Sequence, residues 1–542
     1  MRIAMAQIDT VVGDVDANRR AVSAGIARAR DRGVDLVVFP EQTLIGYPLL
    51  DLIHRRELLD AQRAALEALA READGVAAVV GFVDVDAGRR DPRGRPALHN
   101  AAAVLADGAV RAVHRKVLLP DYDVFFEERY SEPGETCTVV EVAGTKVGVQ
   151  VCEDLWDEHY DLKVTKRQVA GGARVIVNLS ASPFHLGKGR VRRDLVRRHV
   201  RENGVPVVLC NQVGGEDGYE GELAFDGDSF AVDASGAVVA RGATFEEDFV
   251  VVEFDERGRA PAIEISEPEP DAEAFAALVA GVRDYAKRSG FSKALLGLSG
   301  GIDSALVACV AAEAFGPENV LGVSMPSRYS SDHSKSDARL LAEALGTEYR
   351  EIPIEDVHQA LLDTLAPSFE GLAPDVTEEN LQARARGMIL MALSNKTGAM
   401  LLSTGNKTEV ALGYCTLYGD MNGGLMVISD VSKARVYSVS RWFNRWKGRE
   451  VIPRGSLEKP PSAELRDAQV DPFDYEVVSP LVDLLVEEDL SVDACVARGY
   501  ERELVERLAR LVRISEYKRR QAAPGIRITE RAFGVGRRMP IA

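Results

Sequence analysis

The sequence predicts an α/β protein with more than one domain. Three observations lead to this prediction. Short apolar strands alternate with helices in the first half, an acidic segment containing proline lies near the middle, and a strand–helix series follows it. A chain of 542 residues is long enough for two to four domains, each with its own core. Its 46% hydrophobic and 28% charged residues are typical of globular chains.

The first half carries a regular series of apolar runs bounded by Gly, Pro and charged residues, which suits a sheet covered on both faces. Ala17–Arg32 has helical character, and around Gly227–Phe254 the pattern changes to short strands and turns, as at a closing β edge. Strands are predicted at Arg2–Gln7, Asp35–Phe39, Ala77–Val83, Lys146–Val151, Arg174–Asn178 and Val205–Cys210.

The second half begins after Glu264–Asp271 (EISEPEPD), which has the composition of a domain linker. We therefore predict a first domain at 1–255, a linker at 256–271 and a second domain at 272–542. A βαβαβ order indicates a doubly wound parallel sheet in the second domain. Its predicted elements, in chain order, are the helix Ala272–Ser289, the strand Lys293–Leu298, the helix Ala305–Phe315, the strand Val320–Met325, the helix Ser334–Leu345 and the strand Glu348–Ile352.

Composition excludes several classes of protein. No stretch reaches the roughly 18 to 20 apolar residues of a membrane span, and the N-terminus lacks a signal-peptide pattern, so we expect a cytoplasmic protein without membrane association. The net charge of −18 argues against a general nucleic-acid binder. Six dispersed cysteines without a CxxC pair argue against a zinc site or a disulfide framework.

The sequence SGGIDS at 299–304 follows the apolar strand LLGL. Its small residues let the backbone turn sharply and direct N–H groups at an anion near a helix N-terminus, and Asp303 is suited to Mg²⁺. The motif lacks the Gly-Lys-Ser/Thr of a Walker A loop. It resembles the signature of the ATP pyrophosphatase family, which implies a Rossmann-like domain that adenylates a carboxyl or carbonyl oxygen and releases pyrophosphate.

Four further segments accompany this loop: ENLQARAR at 379–386, LSTGNKTE at 402–409, YGD at 418–420 and SDVSK at 429–433. Together they resemble the NAD synthetase family, from about Ala272 to the C-terminus. The resemblance implies that ATP adenylates the nicotinate carboxylate of deamido-NAD, and that ammonia then displaces AMP to leave the amide of NAD. It also implies a homodimer or larger homo-oligomer assembled through these domains.

The resemblance assigns roles to individual residues of the second domain. Lys433 and Lys518 would neutralise phosphates or developing charge, although a solvated basic helix face is an equally good interpretation of Lys518. The ATP-binding set is Gly297, Leu298, Ser299, Gly300, Gly301, Ile302, Asp303, Ser304 and Thr404; the deamido-NAD set is Asn380, Glu409, Lys433 and Lys518; and the Mg²⁺ ligands are Asp303 and Glu409.

Three residues of the first half stand at predicted strand ends: Glu41 in FPEQTLIGYP, Lys116 in HRKVLLP and Cys152 in VGVQVCEDLW. Each alone has a plainer interpretation, as a surface charge or a core thiol. Together they suit a nucleophilic site, with Glu41 as general base, Cys152 as nucleophile, and Lys116 favouring the thiolate and stabilising an oxyanion. In this order they resemble the nitrilase superfamily over Met1–Glu253, which implies an αββα sandwich.

L-Glutamine is the expected substrate of this site, since free ammonia is scarce at neutral pH and a ligase that needs it gains from making it. Tyr122, Ser182 and Lys188 are the candidate glutamine-binding residues. Glu127 in FFEERY is a candidate fourth catalytic residue that orients Lys116, with Glu128 as the alternative. Of the cysteines, Cys152 is the candidate nucleophile.

The leading hypothesis is a glutamine-dependent member of the NAD synthetase family, with ammonia passing through an internal tunnel. Other ligases with SGGIDS, which amidate nucleotides or aspartate or modify tRNA, are not expected to combine the later motifs. A second hypothesis joins a nitrilase-type amidase to a different AMP-forming ligase. A third, a regulatory protein with inactive sites, is disfavoured by the intact Glu41, Lys116, Cys152 and Asp303.

Overall fold

The computed structural model describes residues 1–91, 93–217, 222–466, 469–534 and 536–541. The chain divides into two compact units. Most of the chain up to Glu267 forms the first, and the chain from Pro268 onward belongs to the second. This division lies within the segment 256–271 that the sequence predicts to be a linker. No helix in the described ranges is both long and apolar enough to cross a membrane.

The first unit contains fourteen strands and five helices among its described residues. The strands are β1 (Arg2–Gln7), β2 (Leu36–Val38), β3 (Ala77–Arg90), β4 (Pro96–Ala106), β5 (Ala109–Arg115), β6 (Val139–Val142), β7 (Thr145–Val151), β8 (Val175–Ser180), β9 (Val207–Asn211), β10 (Val213–Asp217), β11 (Glu222–Asp226), β12 (Phe230–Val232), β13 (Val238–Arg241) and β14 (Asp248–Glu253). The helices are α1 (Val15–Asp31), α2 (Arg56–Glu72), α3 (Glu127–Tyr130), α4 (Val164–Ala170) and α5 (Lys188–Asn203).

Two six-stranded sheets face each other in this unit, with strand orders β14-β1-β2-β3-β4-β5 and β13-β12-β9-β8-β7-β6. Alternation along β1 shows why the strands form two layers of core. Ile3 and Met5 point to the core between the sheets, whereas Ala4 and Ala6 point to the core beneath α1 and α2. Helix α5 covers the outer face of the other sheet. The αββα sandwich is confirmed.

Strand β3 is longer than the predicted Ala77–Val83. Its second half is polar and largely exposed, and it pairs antiparallel with β4 as far as Arg90 opposite Pro96. An apolar run marks only the buried half of such a strand, because the exposed half forms by backbone pairing alone.

The second unit contains five strands and twelve helices among its described residues. The strands are β15 (Ala294–Gly297), β16 (Val320–Ser324), β17 (Glu348–Glu351), β18 (Met400–Ser403) and β19 (Leu425–Met426). The helices are α6 (Pro270–Arg288), α7 (Ile302–Phe315), α8 (Asp332–Leu345), α9 (Glu355–Leu365), α10 (Val376–Thr397), α11 (Lys407–Leu412), α12 (Lys433–Lys447), α13 (Arg454–Glu458), α14 (Tyr475–Val486), α15 (Val492–Ala497), α16 (Arg502–Ile514) and α17 (Glu516–Arg519).

The five strands form one parallel sheet in the order β17-β16-β15-β18-β19, which confirms the doubly wound topology. The chain runs from β15 to β16 on one side and later returns to β18 on the other. In open α/β sheets, ligands bind in the crevice beyond the carboxyl ends of the strands where the order reverses in this way. The loop after β15 and the residues after β18 both lie at that edge.

Candidate active sites

Lys116 is the centre of a buried polar cluster in the first unit. Its side chain is fully buried, and Nζ lies 2.9 Å from Glu41 Oε1 and 2.7 Å from Glu127 Oε1. Glu41 follows β2, Lys116 follows β5, and Glu127 opens α3. The structure therefore brings together three of the four predicted catalytic residues through direct contacts. Glu128 is exposed, so the contact with Lys116 belongs to Glu127.

The two carboxylates have further hydrogen-bond donors. Asn100 Nδ2 on β4 donates to Glu41 Oε1 at 2.6 Å and to Glu127 Oε2 at 3.4 Å. The backbone N–H of Ala181 donates to Glu41 Oε2 at 2.9 Å. Buried polar groups need such partners, and these donors fix the orientation of Glu41. The sequence gives no indication of Asn100, since an Asn inside a strand carries no local signal of its partners.

Cys152 is buried at the end of β7, with a backbone φ of +40°. A φ in the left-handed region is strained for a non-glycine residue and is found at functional sites. The conformation is supported by its neighbours. Asn178 Nδ2 donates to the Cys152 carbonyl at 3.2 Å, and Asp154 accepts hydrogen bonds from the backbone N–H groups of Val151 and Val117.

The buried charges shift the pKa values of Lys116 and Cys152. Burial would lower the pKa of Lys116, but Glu127 and Glu41 raise it well above its ordinary value, so Lys116 stays protonated. Burial, and then the charge of Glu41, raise the pKa of Cys152 well above its ordinary value, although Lys116 opposes them. Lys116 does lower the pKa of Cys152, as expected. Its effect is smaller than the opposing effects, so the pKa is raised overall. The resting thiol is neutral, because desolvation outweighs one nearby cation.

The candidate glutamine-binding residues lie on segments next to this cluster. Ser182 follows Ala181, and its backbone N–H donates to Asn211 Oδ1 at 2.9 Å. Tyr122 is half exposed, and its hydroxyl donates to the two carboxylate oxygens of Glu153, the residue after Cys152, at 3.2 and 3.1 Å. Burial raises the pKa of Glu153 to about 7. Lys188 Nζ lies 4.4 Å from the ring centroid of Trp156.

The phosphate loop of the second unit joins β15 to α7. Helix α7 begins at Ile302, three residues before the predicted start at Ala305, so that Asp303 lies in its first turn. Gly300 has a φ of +75°, and a Cβ on it would lie 2.2 Å from the carbonyl oxygen of Ser334. Only glycine suits this position, because both the dihedral angle and the space exclude a side chain.

A cavity of about 300 Å³ opens at this edge of the sheet. The predicted ATP-binding residues in its lining are Gly297, Leu298, Ser299, Gly301, Ile302, Asp303, Ser304 and Thr404; Glu409 and Lys433 also line it. Gly300 lies behind the loop, against α8. Asn380 and Lys518, both within the described ranges, are not among the lining residues.

Asn380 and Lys518 have other partners. Asn380 Oδ1 accepts the hydroxyl of Thr416 at 2.8 Å. Lys518 Nζ donates to the carbonyls of Gly413 at 2.8 Å and Cys415 at 2.6 Å. Lys518 therefore does not lie on a solvated helix face, and its contacts hold the turn after α11. The assignment of both residues to deamido-NAD stays a prediction.

Asp303, Lys433 and Glu409 form a charged cluster in the cavity. Lys433 Nζ lies 2.5 Å from Asp303 Oδ2 and 3.3 Å from Glu409 Oε1. Burial raises the pKa of Glu409 to about 8, since Lys433 only partly compensates and Asp303 adds to the rise. Asp303 and Glu409 raise the pKa of Lys433 despite its burial. Asn406 Nδ2 donates to Asp303 Oδ1 at 2.8 Å and completes the cluster.

Arg386 also lines the cavity, although the sequence alone assigned it no role. It lies on α10, its Nε donates to the Met325 carbonyl at 3.0 Å, and burial lowers its pKa to about 10. The motif ENLQARAR contains two arginines, and only the packing of α10 decides which faces the cavity. Arg384 instead donates to the Leu417 carbonyl at 3.2 Å.

The two folds and the family models that they match define a class of protein, a carbon–nitrogen hydrolase domain joined to an NAD synthase domain. Residues 2–262 match the family model described as carbon-nitrogen hydrolase, and residues 274–522 match that described as NAD synthase. The chain is 43% identical to a glutamine-dependent NAD(+) synthetase of Thermotoga maritima and 42% identical to one of Synechocystis, each over 100% of this chain and 98% of the relative. The chain belongs to the family of glutamine-dependent NAD(+) synthetases, and it is a ligase.

A solved structure agrees with this membership. The glutamine-dependent NAD+ synthetase from Acinetobacter baumannii in complex with ADP has a TM-score of 0.80 to this chain and 38% sequence identity, and the match covers 100% of this chain and 98% of that chain. As a member of this family, the chain catalyses an ATP-dependent amidation with glutamine as the nitrogen source.

Proposed function

We propose that the chain converts deamido-NAD to NAD through an acyl-adenylate, with ammonia released from L-glutamine at Cys152. The observation that carries the proposal is the contact of Lys116 Nζ with both Glu41 and Glu127, within electrostatic reach of the buried Cys152. Such a set of base, cation and thiol supports amide hydrolysis through a thioester.

In the first step of glutamine hydrolysis, Cys152 Sγ attacks the side-chain amide carbon of glutamine. Because the resting thiol is neutral, its proton must leave during attack, and Glu41 is the acceptor. Asn100 and the Ala181 N–H orient that carboxylate. Lys116 stabilises the negative charge on the former carbonyl oxygen.

The tetrahedral intermediate then collapses to a thioester. Glu41 returns the proton to the departing nitrogen, and ammonia leaves. Water, deprotonated by Glu41, attacks the thioester carbon, and glutamate is released with the thiol restored. Glu127 acts on Lys116, since it shares the ammonium group with Glu41 and holds it between them. Tyr122, Ser182 and Lys188 are proposed to hold the amino-acid end of glutamine.

In the ligase reaction, a carboxylate oxygen of the nicotinate attacks the α-phosphorus of ATP, and pyrophosphate leaves. Ammonia then attacks the acyl carbon, and AMP leaves with the carboxylate oxygen. The adenylate is needed because a free carboxylate repels nucleophiles and has no good leaving group. The loop Ser299–Ser304 is proposed to hold the phosphates, and Lys433 to stabilise charge that develops on them.

The cavity residues fit a Mg²⁺ ion. No group of three or more His, Cys, Asp or Glu side chains in the described ranges could hold a metal alone. Mg²⁺ is usually held by one or two carboxylates together with substrate phosphates, which matches Asp303 and Glu409 beside the phosphate loop. When bound with ATP, the ion would neutralise phosphate charge.

The test compares Cys152→Ala with Cys210→Ala, which truncates another fully buried thiol. We expect Cys152→Ala to lose glutamine-driven NAD synthesis and glutaminase activity, but to keep synthesis driven by ammonium salts. Cys210→Ala should keep both. Loss of the ammonia-driven reaction in Cys152→Ala, with a native melting temperature, would refute separate sites.

Isotope transfer tests the adenylate. Deamido-NAD labelled with ¹⁸O in the nicotinate carboxylate should pass one labelled oxygen to AMP, and phosphorus NMR or mass spectrometry of AMP detects it. Unlabelled AMP would exclude the acyl-adenylate. Assembly as a homodimer or larger oligomer stays a prediction, which sedimentation velocity of the full chain tests.

A further inference from the structure

The first turn of α11 presents side chains in two directions. Asn406 and Glu409 contact the charged cluster at Asp303 and Lys433. Between them in sequence, Lys407 and Thr408 are fully buried and contact other segments. Four consecutive residues thus connect the nucleotide cavity to a second polar cluster, for which the proposed reaction has no role.

Lys407 is the centre of that second cluster. Its Nζ lies 2.8 Å from Asp430 Oδ1 and 2.6 Å from Glu487 Oε1, and it donates to Thr529 Oγ1 at 2.8 Å and to the Arg531 carbonyl at 3.3 Å. Asp430 and Glu487 raise its pKa despite the burial, so it stays charged. A fully buried ammonium with this many partners is held in one position.

Asp430 binds the C-terminal part of the chain as well. Its Oδ2 accepts the backbone N–H groups of Ile528 and Thr529, each at 2.7 Å, and its Oδ1 accepts the Thr529 hydroxyl at 2.8 Å. The terminal segment Ile528–Arg531 therefore contacts Lys407 and Asp430 together. Removing the Lys407 ammonium would leave Asp430 as a buried carboxylate without this countercharge.

The same two residues lie next to cavity residues in sequence. Lys407 precedes Glu409 by two positions, and Asp430 precedes Lys433 by three. A direct link adds to this, since the Lys433 N–H donates to Thr408 Oγ1 at 3.1 Å. Because each pair shares a short stretch of backbone, a shift of the α11 backbone relative to that of Asp430 would move Glu409 relative to Lys433.

We propose that Lys407 and Asp430, joined by the terminal segment Ile528–Arg531, are positioning residues that set the spacing of Glu409 and Lys433 in the nucleotide cavity. The proposal rests on the proposed role of that cavity in binding ATP and Mg²⁺. The alternative is that the buried pair only stabilises the fold.

The test measures KM for ATP, and the Mg²⁺ concentration for half-maximal rate, in ammonia-driven NAD synthesis by the full chain. Lys407→Met removes the ammonium, and Thr529→Val removes only a hydroxyl. We expect both constants to rise roughly 10-fold or more in each variant, the range for groups that orient metal and substrate ligands. Thr529→Ser keeps the hydroxyl and should therefore have wild-type values of both constants. A loss of folded enzyme would lower the apparent kcat but could not raise KM.

Leu278→Ala is the matched control, because Leu278 is fully buried on α6 and makes no polar contact with the cavity. It should lower the melting temperature and leave both constants unchanged. Glutaminase activity should be unaffected in every variant. Wild-type constants in Thr529→Val, and in Lys407→Met wherever it folds, would overturn the proposal.

Two cavity variants separate this inference from the proposed function. Glu409→Gln and Lys433→Met should lose ammonia-driven synthesis. If they keep it, the proposed role of the cavity fails, and the positioning proposal fails with it. If they lose it while Thr529→Val behaves as wild type, only the positioning proposal fails.

Discussion

Replacing Gly300 with alanine should disable the ligase site and spare the glutaminase site. The position is unusual because two independent effects exclude a side chain. Its φ of +75° lies in the left-handed region, which costs an L-residue about 1–2 kcal/mol. A Cβ would also lie 2.2 Å from the Ser334 carbonyl oxygen and 2.8 Å from the carbonyl carbon.

The size of the effect follows from the steric contact. Real Cβ atoms essentially never approach closer than 3.0 Å, so the loop or the start of α8 must move by about 0.8 Å. Backbone at Ser334 cannot rotate away as a side chain could. A misplacement of about 1 Å at a reacting centre costs on the order of 100-fold in rate, or about 2.7 kcal/mol of transition-state stabilisation. We expect this loss in kcat/KM for ATP.

The assay is ammonia-driven NAD formation at varied ATP, with glutaminase activity measured on the same preparation. Gly346→Ala is the control, since Gly346 ends α8 with a φ of +80°, and a Cβ there would meet no other segment of the described chain within 4 Å. Gly346→Ala therefore has the same backbone strain as Gly300→Ala but no steric clash, and it should keep full ligase activity. A kcat/KM for ATP within about threefold of wild type in Gly300→Ala, or an equal loss in Gly346→Ala, would exclude the steric contact as the cause.

Two predictions concern the first unit. Glu127→Gln should lower glutaminase kcat by about 100-fold, the smaller end of the range for acid–base residues, because it removes a charge that holds Lys116. The control is Glu128→Gln, which changes an exposed side chain and should leave kcat unchanged. Equal effects of the two variants would contradict the assignment of this role to Glu127. Burial raises the pKa of Glu153 from 4.5 to about 7. Between these two pH values the folded state keeps a proton that the unfolded chain has lost. The free energy of unfolding therefore falls as pH rises from about 4.5 to 7. Calorimetry of Glu153→Gln should therefore show its melting temperature rising relative to wild type from pH 5 to pH 8; a constant difference would exclude this titration.

The sequence was most informative where a signal is local. Apolar runs located β1, β7 and β16 to within one residue at either end, since a buried strand needs continuous apolar side chains. Boundaries set by capping were less accurate. The start of α7 at Ile302 depends on the turn made by Gly300 and Gly301, and the sequence pattern assigned that turn entirely to a loop.

Contacts between residues far apart in the chain could not be predicted from the sequence. Asn100 contacts Glu41 across 59 positions, and Lys407 contacts Thr529 across 122. Nothing in either local pattern distinguishes these polar residues from solvent-exposed ones. Lys518 shows the same limit, because its sequence context gave no sign of the two backbone carbonyls, of Gly413 and Cys415, that its side chain contacts.

The sequence by itself determined the two α/β domains, the family and the chemical identity of the candidate groups, because strands, turns and motifs depend on residues adjacent in the chain. The tertiary structure decided which groups meet and in what charge state. It brought Glu127 rather than Glu128 into contact with Lys116, placed the Ala181 N–H on Glu41, and made the Cys152 thiol neutral. The physical reason is that burial and electrostatic interaction depend on three-dimensional surroundings assembled from the whole domain.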